Sequence, residues 1–288
     1  MLTLNGKHFF FLGGEMIGIY LDNLRKNGAL IHNITNYVTV NDVANVLLAC
    51  GASPVMADEP EDAKEITAIC GGLNINIRTL NTNTIEGMFV ACEKAQELKH
   101  IMVLDPVGAG ASKLRTNTAR DLMKKFKFDV VKGNVSEIKV LASGEGGAKG
   151  VDADINDKIT KDNLVKAIEF IKNYAKKINT IVAITGEIDL VSDGNSCYVI
   201  TNGRKEMGKV TGTGCQLSAL IAAFLVANPD KKLEATVAAV CTMGVAGEIG
   251  WSNMECGDGN ATYRDRIIDA IYNMDGNRLD RGAIYEIK

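Results

Sequence analysis

The sequence predicts an α/β fold in which a mainly parallel central sheet carries helices on both faces. Short apolar runs of strand length alternate along the chain with longer amphipathic runs of helical length. Polar residues recur directly after the short runs. Strands that alternate with helices build parallel sheets, because each crossover packs a helix on a sheet face. Such sheets bind ligands at the carboxyl ends of their strands, so chemistry is expected in the loops that follow the strands.

These elements follow one another without a Pro- or Ser-rich linker or a fixed-period repeat, which predicts one domain over residues 1–288. The expected strands are Ser53–Met56, Gly72–Ile77, Ile101–Leu104, Val130–Val131 and Thr180–Ile184, with a hairpin over Ile188–Ile200. The expected helices are Asn41–Cys50, Glu61–Cys70, Asn83–Leu98, Thr116–Phe126, Asp162–Ile178, Gly214–Ala227, Leu233–Ile249 and Tyr263–Met274. The Gly-rich segment Ser143–Gly150 is expected to be a surface excursion, either a flexible turn or a lid over a ligand.

The composition excludes several classes of protein. Apolar residues make up 46% and charged residues 23% of the chain, which excludes a disordered or fibrous protein. The net charge of −3 argues against a broad nucleic-acid surface. The seven cysteines include no Cys-x-x-Cys pair, and three histidines are too few for a His-rich metal site. We interpret most cysteines as buried thiols of a reducing compartment.

No segment of the sequence is typical of a membrane protein. The longest apolar stretch, Leu217–Ala227, is too short to cross a bilayer. The N-terminus lacks a charged start followed by a long apolar region. We therefore expect a soluble, cytoplasmic protein whose partners include neither a membrane nor a nucleic acid.

The strongest local motif is Thr211-Gly212-Thr213-Gly214-Cys215, which runs directly into an apolar helix. Unpaired backbone N–H groups at such a helix start, together with the helix dipole, suit a transferring phosphoryl group. The alternative is a Gly-rich helix entry that binds nothing. The motif lacks the third glycine of a dinucleotide-binding fingerprint, and no Gly-Lys pair is followed by Ser or Thr as in a Walker A loop.

Two further segments place charged residues after expected strands. Asp105 precedes a rigid Pro-containing turn and can direct a carboxylate towards a magnesium-bound phosphate, although it can equally serve the turn alone. Lys132 can approach phosphates, and Glu137 can act as a second carboxylate near a metal. Asn134 and Glu137 also have the spacing of a helix capping box, and the capping and metal-related roles are compatible.

The segment Ile31–Asn45 is dense in Asn and Thr and carries few charges, which suits hydrogen bonding to a small neutral ligand. Within it, His32 can instead be a structural, hydrogen-bonded histidine. Met56, at the end of the next expected strand, can instead be a core residue.

Together these segments resemble the hydroxyethylthiazole kinases of thiamin salvage, which belong to the ribokinase-like superfamily. The matching stretches follow the family's order. They are His32–Asn36, Gly51–Ala57, Leu104–Gly110, Gly133-Asn134 with Glu137, Thr185–Glu187 and Thr211–Cys215. The resemblance implies a three-layer sandwich with a mainly parallel central sheet. It also implies ATP-dependent phosphorylation of the hydroxyl of 4-methyl-5-(2-hydroxyethyl)thiazole by in-line transfer at a Gly-rich anion hole with magnesium.

The resemblance further implies roles for individual residues. The thiazole pocket would be lined by Asn36, Val38, Met56 and Gly212. The anion hole with its catalytic thiol would consist of Gly212, Thr213, Gly214 and Cys215. ATP would be contacted by Lys132 and Thr185, and magnesium would be held by Asp105 and Glu137. It implies ATP as co-substrate and a homotrimer with active sites at the subunit interfaces.

The sequence departs from the family's pattern at three places. Lys132 stands where the family commonly has Arg, which removes a bidentate fork towards phosphate. Arg78 stands where Gly is frequent and adds a cation near the strand ends, and residues 144–150 resemble an insertion. Cys215 occupies the position at which most ribokinase-like kinases have an Asp base, as the resemblance implies. A loose transition state needs little early proton removal, so we hypothesise that Cys215 is auxiliary.

Three alternatives remain open at this point. The first is a kinase for hydroxymethylpyrimidine or pyridoxal, against which the Asn-Thr segment and Cys215 argue. The second is a nucleotide-dependent dehydratase on the same fold, which is expected to keep an acidic residue at position 215. The third is a nucleotide-binding protein without catalysis, against which Asp105, Glu137 and the glycines of the anion hole argue.

Overall fold

The computed structural model describes residues 16–143 and 158–288 and the backbone of two short strands, β1 (Thr3–Leu4) and β2 (Lys7–His8). The two short strands pair with each other in antiparallel fashion. Apart from Ser143, the expected surface excursion over residues 143–150 lies outside the described residues.

One nine-stranded sheet runs through the chain. Its strands are β3 (Leu30–Ile34), β4 (Ser53–Met56), β5 (Gly72–Asn76), β6 (Ile101–Asp105), β7 (Val130–Asn134), β8 (Ile181–Thr185), β9 (Asp189–Ser192), β10 (Cys197–Ile200) and β11 (Tyr285–Ile287). Their order across the sheet is β11-β10-β9-β8-β7-β6-β5-β3-β4. All pairings from β4 to β8 are parallel, and those from β8 to β11 are antiparallel. The prediction of a mainly parallel sheet with a hairpin at β9 and β10 is confirmed.

The helices lie in the connections between these strands. They are α1 (Gly18–Asn27), α2 (Val40–Cys50), α3 (Pro60–Ile69), α4 (Thr82–Leu98), α5 (Lys113–Lys125), α6 (Val135–Ala142), α7 (Leu164–Ile178), α8 (Thr213–Ala227), α9 (Lys232–Ser252), α10 (Asn260–Tyr272) and α11 (Gly276–Gly282), with a 3-10 turn over Lys205–Lys209. Every expected helix is present, and its ends differ from the prediction by a few residues. The elements that the sequence patterns did not predict are β1, β2, β3, β11, α1, α11, the 3-10 turn and, except for its cap, α6.

The core has two halves, one on each face of the sheet. Along β6, Ile101 and Val103 pack into the half that contains α1, α2, α8, α9 and α10, whereas Met102 and Leu104 pack into the half that contains α4, α5, α6 and α7. This alternation is the period of two that a buried strand imposes. The arrangement is a three-layer sandwich of helices, sheet and helices. Because both halves share one sheet, we retain a single domain over residues 1–288 as a prediction.

Helix α9 is long and apolar enough to cross a membrane by length and composition, alone among the described helices. However, 78% of its most apolar window is buried inside the protein, against α8 and α10. This burial accounts for its apolar character, because a helix that is hydrophobic on all sides suits a position enclosed by other elements.

Candidate functional site

The carboxyl ends of β3, β5, β6 and β7 meet the first turn of α8 at one edge of the sheet. Four residues predicted from the sequence come together there through hydrogen bonds: Asn36, Asp105, Lys132 and Cys215. Parallel strands all end at the same edge, which is why residues far apart in the sequence converge. The prediction that these charged residues follow the strands is wrong in detail, because β6 and β7 extend further than expected: Asp105 is the last residue of β6 and Lys132 is the middle residue of β7.

The first turn of α8 is open to a ligand. Its N-cap is Gly212, which has φ +85° and provides no side-chain cap. The first intrahelical bond runs from Gln216 N–H to the Gly212 carbonyl over 2.9 Å. The backbone N–H groups of Thr213, Gly214 and Cys215 precede that bond and have no intrahelical acceptor. Position 212 requires glycine for two reasons: its φ is left-handed, and an added Cβ would collide with the Thr39 methyl group.

A buried ion pair lies beside this helix start. The Lys132 Nζ donates to Asp105 Oδ1 over 3.1 Å and to the Gly214 carbonyl over 2.9 Å. The two side chains are 4% and 0% exposed. Burial raises the pKa of the Asp105 carboxyl to about 6, while Lys132 opposes that rise. Burial also lowers the pKa of Lys132, but Asp105, Cys215 and Glu137 outweigh it and leave that pKa raised. Lys132 is therefore a buried cation beside the first turn of α8.

Glu137 closes the N-terminus of α6 as the capping-box prediction requires. Its Oε2 accepts from Asn134 N–H over 2.8 Å, and Asn134 Oδ1 accepts from Glu137 N–H over 2.9 Å. Its Oε1 accepts from Gly108 N–H over 2.8 Å, which ties the turn after Asp105 to α6. The negative charge of Glu137 contributes to the raised pKa of Asp105.

These two carboxylates fit a divalent cation that is also held by phosphate. No group of three His, Cys, Asp or Glu side chains that could hold a metal occurs within the part of the chain that the structure describes. Mg²⁺ needs only one or two carboxylates when phosphate oxygens and waters complete its shell. Asp105 and Glu137 carry two negative charges against the one positive charge of Lys132, and this excess favours a cation.

Asn36 forms the side of the site opposite the charged pair. It is completely buried, and its Nδ2 donates to Asn76 Oδ1 over 3.1 Å and to the Cys215 thiol over 3.3 Å. Among the described residues its Oδ1 has no hydrogen-bond partner, and neither has Thr39 Oγ1. Buried acceptors without a partner cost about 1–3 kcal/mol, so a polar ligand is the expected partner.

Val38 and Met56 do not complete an enclosed pocket in the single chain. The Val38 side chain is 51% exposed, and Met56 is partly buried against the core. In the register of β3 and β4, Met56 lies opposite Asn33, so it stands at the same sheet edge as Asn36. The structure thus groups these residues at one edge, and their roles towards a thiazole stay predictions.

Thr185 ends β8 next to Asn134 in the register of β7 and β8. The turn that follows is held by Asp189, whose Oδ1 accepts from Gly186 N–H over 2.8 Å. Burial raises the pKa of Asp189 to about 7, and the Gly186 hydrogen bond and Lys132 oppose this rise. The contact of Thr185 with a nucleotide stays a prediction.

Asn76 is the residue of this site that the sequence analysis did not single out. It is fully buried, and its Nδ2 donates to Asp105 Oδ2 over 2.9 Å. The available signal was the pair Asn74 and Asn76 in an otherwise apolar strand, where a spacing of two puts both on one face.

His32 is a structural, hydrogen-bonded histidine, which was the second interpretation of this residue in the sequence. Its two ring nitrogens lie 2.8 Å from Thr67 Oγ1 and 2.7 Å from the Ala57 carbonyl, and burial lowers the pKa of the imidazole.

A separate cavity of about 550 Å³ lies between α5, α6 and α7, lined by Phe128 and Thr180 at the amino ends of β7 and β8. None of the predicted site residues lines this cavity, because they lie towards the carboxyl ends of the strands.

Known proteins are similar to this chain over most of its length. The hydroxyethylthiazole kinase family matches residues 21–277. A hydroxyethylthiazole kinase of Clostridium acetobutylicum is 56% identical over 92% of this chain and 97% of its own length, and one of Clostridium tetani is 42% identical over 91% and 94%.

Among solved structures, a hydroxyethylthiazole kinase protein of Pyrococcus horikoshii has a TM-score of 0.83 at 36% identity and covers 94% of this chain and 98% of its own. A pyridoxal kinase of Staphylococcus aureus in complex with ADP has a TM-score of 0.61 at 18% identity, covering 90% and 97%. A ribokinase-like protein of Enterococcus faecalis has a TM-score of 0.58 at 13% identity, covering 88% of each chain. The last two show the fold alone and confirm the ribokinase-like three-layer sandwich.

Proposed function

The chain belongs to the hydroxyethylthiazole kinase family, and we propose that its site transfers the γ-phosphoryl group of ATP in line to 4-methyl-5-(2-hydroxyethyl)thiazole. The chain is a kinase of thiamin salvage that acts on the alcohol of this thiazole. The observation that supports the proposed site is the open first turn of α8, which lies between Asn36 on one side and the Asp105–Lys132 pair on the other.

The reaction forms one bond and breaks another. The hydroxyl oxygen of the thiazole alcohol bonds to the γ-phosphorus of ATP, the bond from that phosphorus to the β–γ bridging oxygen breaks, ADP leaves, and the hydroxyl proton passes to water late in the transfer. The backbone N–H groups of Thr213, Gly214 and Cys215 stabilise the charge that spreads over the transferring oxygens. Lys132 contacts the phosphates as a point charge, and Thr185 contacts the nucleotide.

Asp105 and Glu137 would hold Mg²⁺. When bound, this ion would neutralise phosphate charge. The chain's own contribution is to keep both carboxylates oriented. Asn76 and Lys132 bond to the two oxygens of Asp105. The backbone N–H groups of Asn134 and Gly108 bond to the two oxygens of Glu137.

Cys215 acts as an auxiliary group in this proposal. Its thiol already accepts a hydrogen bond from Asn36, and the loose transition state leaves the hydroxyl proton in place until late. Positioning and the anion hole supply most of the rate.

The active sites lie at the interfaces of a homotrimer in this proposal. Tyr37 and Val38, directly after Asn36, are 66% and 51% exposed, so the thiazole side of the site is open in one chain and a second chain can complete it. All seven cysteines are free thiols, which supports a cytoplasmic location.

The test measures ADP release with ATP and Mg²⁺ and four acceptor conditions: the thiazole alcohol, hydroxymethylpyrimidine, pyridoxal and no acceptor. Turnover confined to the thiazole alcohol supports the proposal. Turnover confined to hydroxymethylpyrimidine or pyridoxal contradicts it, and ATP binding without ADP release with any acceptor indicates a nucleotide-binding protein without catalysis.

A further inference from the structure

A ring of buried hydrogen bonds passes through both halves of the site. From the Cys215 thiol it runs to Asn36, then to Asn76, to Asp105 and to Lys132, which returns to the Gly214 carbonyl. Asn76 is the member that joins the thiazole side to the charged side. Asn36, Asn76 and Asp105 are buried to 0% exposure and Lys132 to 3%, so bulk water does not compete for these bonds.

The donors and acceptors of this ring can be arranged in one way. An ionised Asp105 only accepts, so Asn76 must turn its NH₂ group towards it, as the 2.9 Å bond shows. The Asn76 oxygen then faces Asn36 over 3.1 Å and the Arg78 N–H over 3.2 Å. Asn36 must in turn direct its own NH₂ group at Asn76. The Asn36 oxygen is the atom left over, and within the described part of the chain it is one of several buried acceptors without a hydrogen-bond partner.

We propose that Asn76 is a positioning residue that transmits the acceptor character of Asp105 to Asn36 and so makes Asn36 present its oxygen to the alcohol of the substrate. This inference rests on the proposed function. The hydroxyl of the acceptor donates its hydrogen to Asn36 Oδ1, which directs an oxygen lone pair towards the phosphoryl group at the first turn of α8. A reversed Asn36 amide would present NH₂ to the hydroxyl and occupy that lone pair.

The chain offers a matched control on the same strand. Asn74 is also fully buried and lies two residues before Asn76, and its Nδ2 donates to Asn33 Oδ1 over 3.0 Å. Asn33 in turn donates to the Ile31 carbonyl over 2.9 Å, so this pair ends in the backbone and not in the site. Truncating Asn74 or Asn76 removes the same buried strand amide, but only Asn76 connects Asp105 to Asn36.

The experiment compares two ligands by calorimetry without nucleotide: the thiazole alcohol and 4-methyl-5-ethylthiazole, which lacks the hydroxyl. The readout is the ratio of the two dissociation constants, because general loosening of the pocket weakens both ligands alike. We expect Asn76→Ala to lower the preference for the alcohol about tenfold, the effect of losing one well-placed hydrogen bond in a buried site. Asn74→Ala should leave the ratio within about twofold of the wild type.

Asn36→Ala and the double variant test whether Asn76 acts through Asn36. Asn36→Ala should lower the ratio as Asn76→Ala does, and combining the two should lower it no further, because both remove the same hydrogen bond. Additive effects, an unchanged ratio in folded Asn76→Ala, or an equal fall in Asn74→Ala would overturn the proposal. If Asn76→Ala does not fold, Asn76→Ser replaces it, since Ser also removes the oxygen that faces Asn36.

Wild-type turnover separates this inference from the proposed function. A wild type that phosphorylates the thiazole alcohol, with a ratio that Asn76 does not affect, defeats the role of Asn76 and leaves the kinase assignment intact. A wild type that neither binds nor phosphorylates the alcohol defeats both.

Discussion

Two helices begin at the same edge of the sheet, and their first turns are opposites. The start of α6 is closed: Asn134 and Glu137 satisfy backbone donors in a reciprocal capping box. The start of α8 is open: Gly212 offers no side chain, and three N–H groups are left without an acceptor in the helix. A capping residue typically stabilises a helix by about 1 kcal/mol. Helix α8 lacks that stabilisation, and its backbone donors stay available. An uncapped helix start beside a buried cation therefore suits the binding of an anion.

Distorting the open start of α8 should have the largest effect on kcat. Gly212→Ala puts a Cβ against the Thr39 methyl group and into a left-handed φ, so Gly212 and the donors behind it must shift. Misplacing one such donor lowers kcat by about 10²- to 10³-fold. The measurement is steady-state ADP release by folded protein. Gly208→Ala in the same loop is the control, because no atom lies within 4 Å of its added Cβ; equal losses in the two variants would remove the special status of Gly212.

Changing the closed start separates capping from chemistry. Glu137→Gln removes a charge from the proposed magnesium site, so kcat should fall about 10²-fold. It keeps one backbone acceptor but turns its NH₂ group towards the N–H of either Asn134 or Gly108, so the free energy of unfolding should also fall by about 1–3 kcal/mol. Asn134→Ala should lower the free energy of unfolding by about 1 kcal/mol with a smaller effect on kcat. Urea unfolding and initial rates measure the two quantities. A Glu137→Gln enzyme with normal kcat would reduce α6 to a capped helix without a role in catalysis.

How far the sequence predicts this site depends on the kind of residue. Gly212, Asp105 and Glu137 were predictable because each occurs in a local pattern with a mechanism: a glycine at a helix start, an acid after a strand, and a capping box. Strand β3 was not predictable, because His32 and Asn33 are polar residues inside a buried strand. Their side chains form hydrogen bonds with Thr67, Ala57 and Ile31, the first two of which only the fold brings near. Asn76 was missed for the same reason: its function depends on Asp105 and Asn36, which only the fold brings to it.

Within the open start, Cys215 should matter less than its neighbours. Cys215→Ser should retain turnover within about tenfold of the wild type, because a hydroxyl can also accept from Asn36 and early proton removal is not required. Asp105→Ala is the comparison variant and should lose far more, since it removes the carboxylate and leaves Lys132 as an unpaired buried charge. Initial rates of both folded variants decide this. Complete loss of activity in Cys215→Ser, or near-normal kcat in Asp105→Ala, would reverse the assigned roles.

The smallest expected effect on turnover concerns the turn after Thr185, where the Asp189 carboxylate accepts from the backbone N–H of Gly186. Burial raises the pKa of Asp189 from 3.8 to about 7, so the folded state binds a proton that the unfolded chain has released. Between pH 4 and pH 7 the wild type should therefore lose stability relative to Asp189→Asn, which keeps an acceptor for Gly186 N–H but cannot ionise. Melting temperatures of the two proteins at pH 5 and pH 8 measure this, and the difference should grow in favour of the variant as the pH rises. A constant difference would mean that Asp189 ionises alike in the folded and unfolded states, and that its burial does not destabilise the protein as the pH rises.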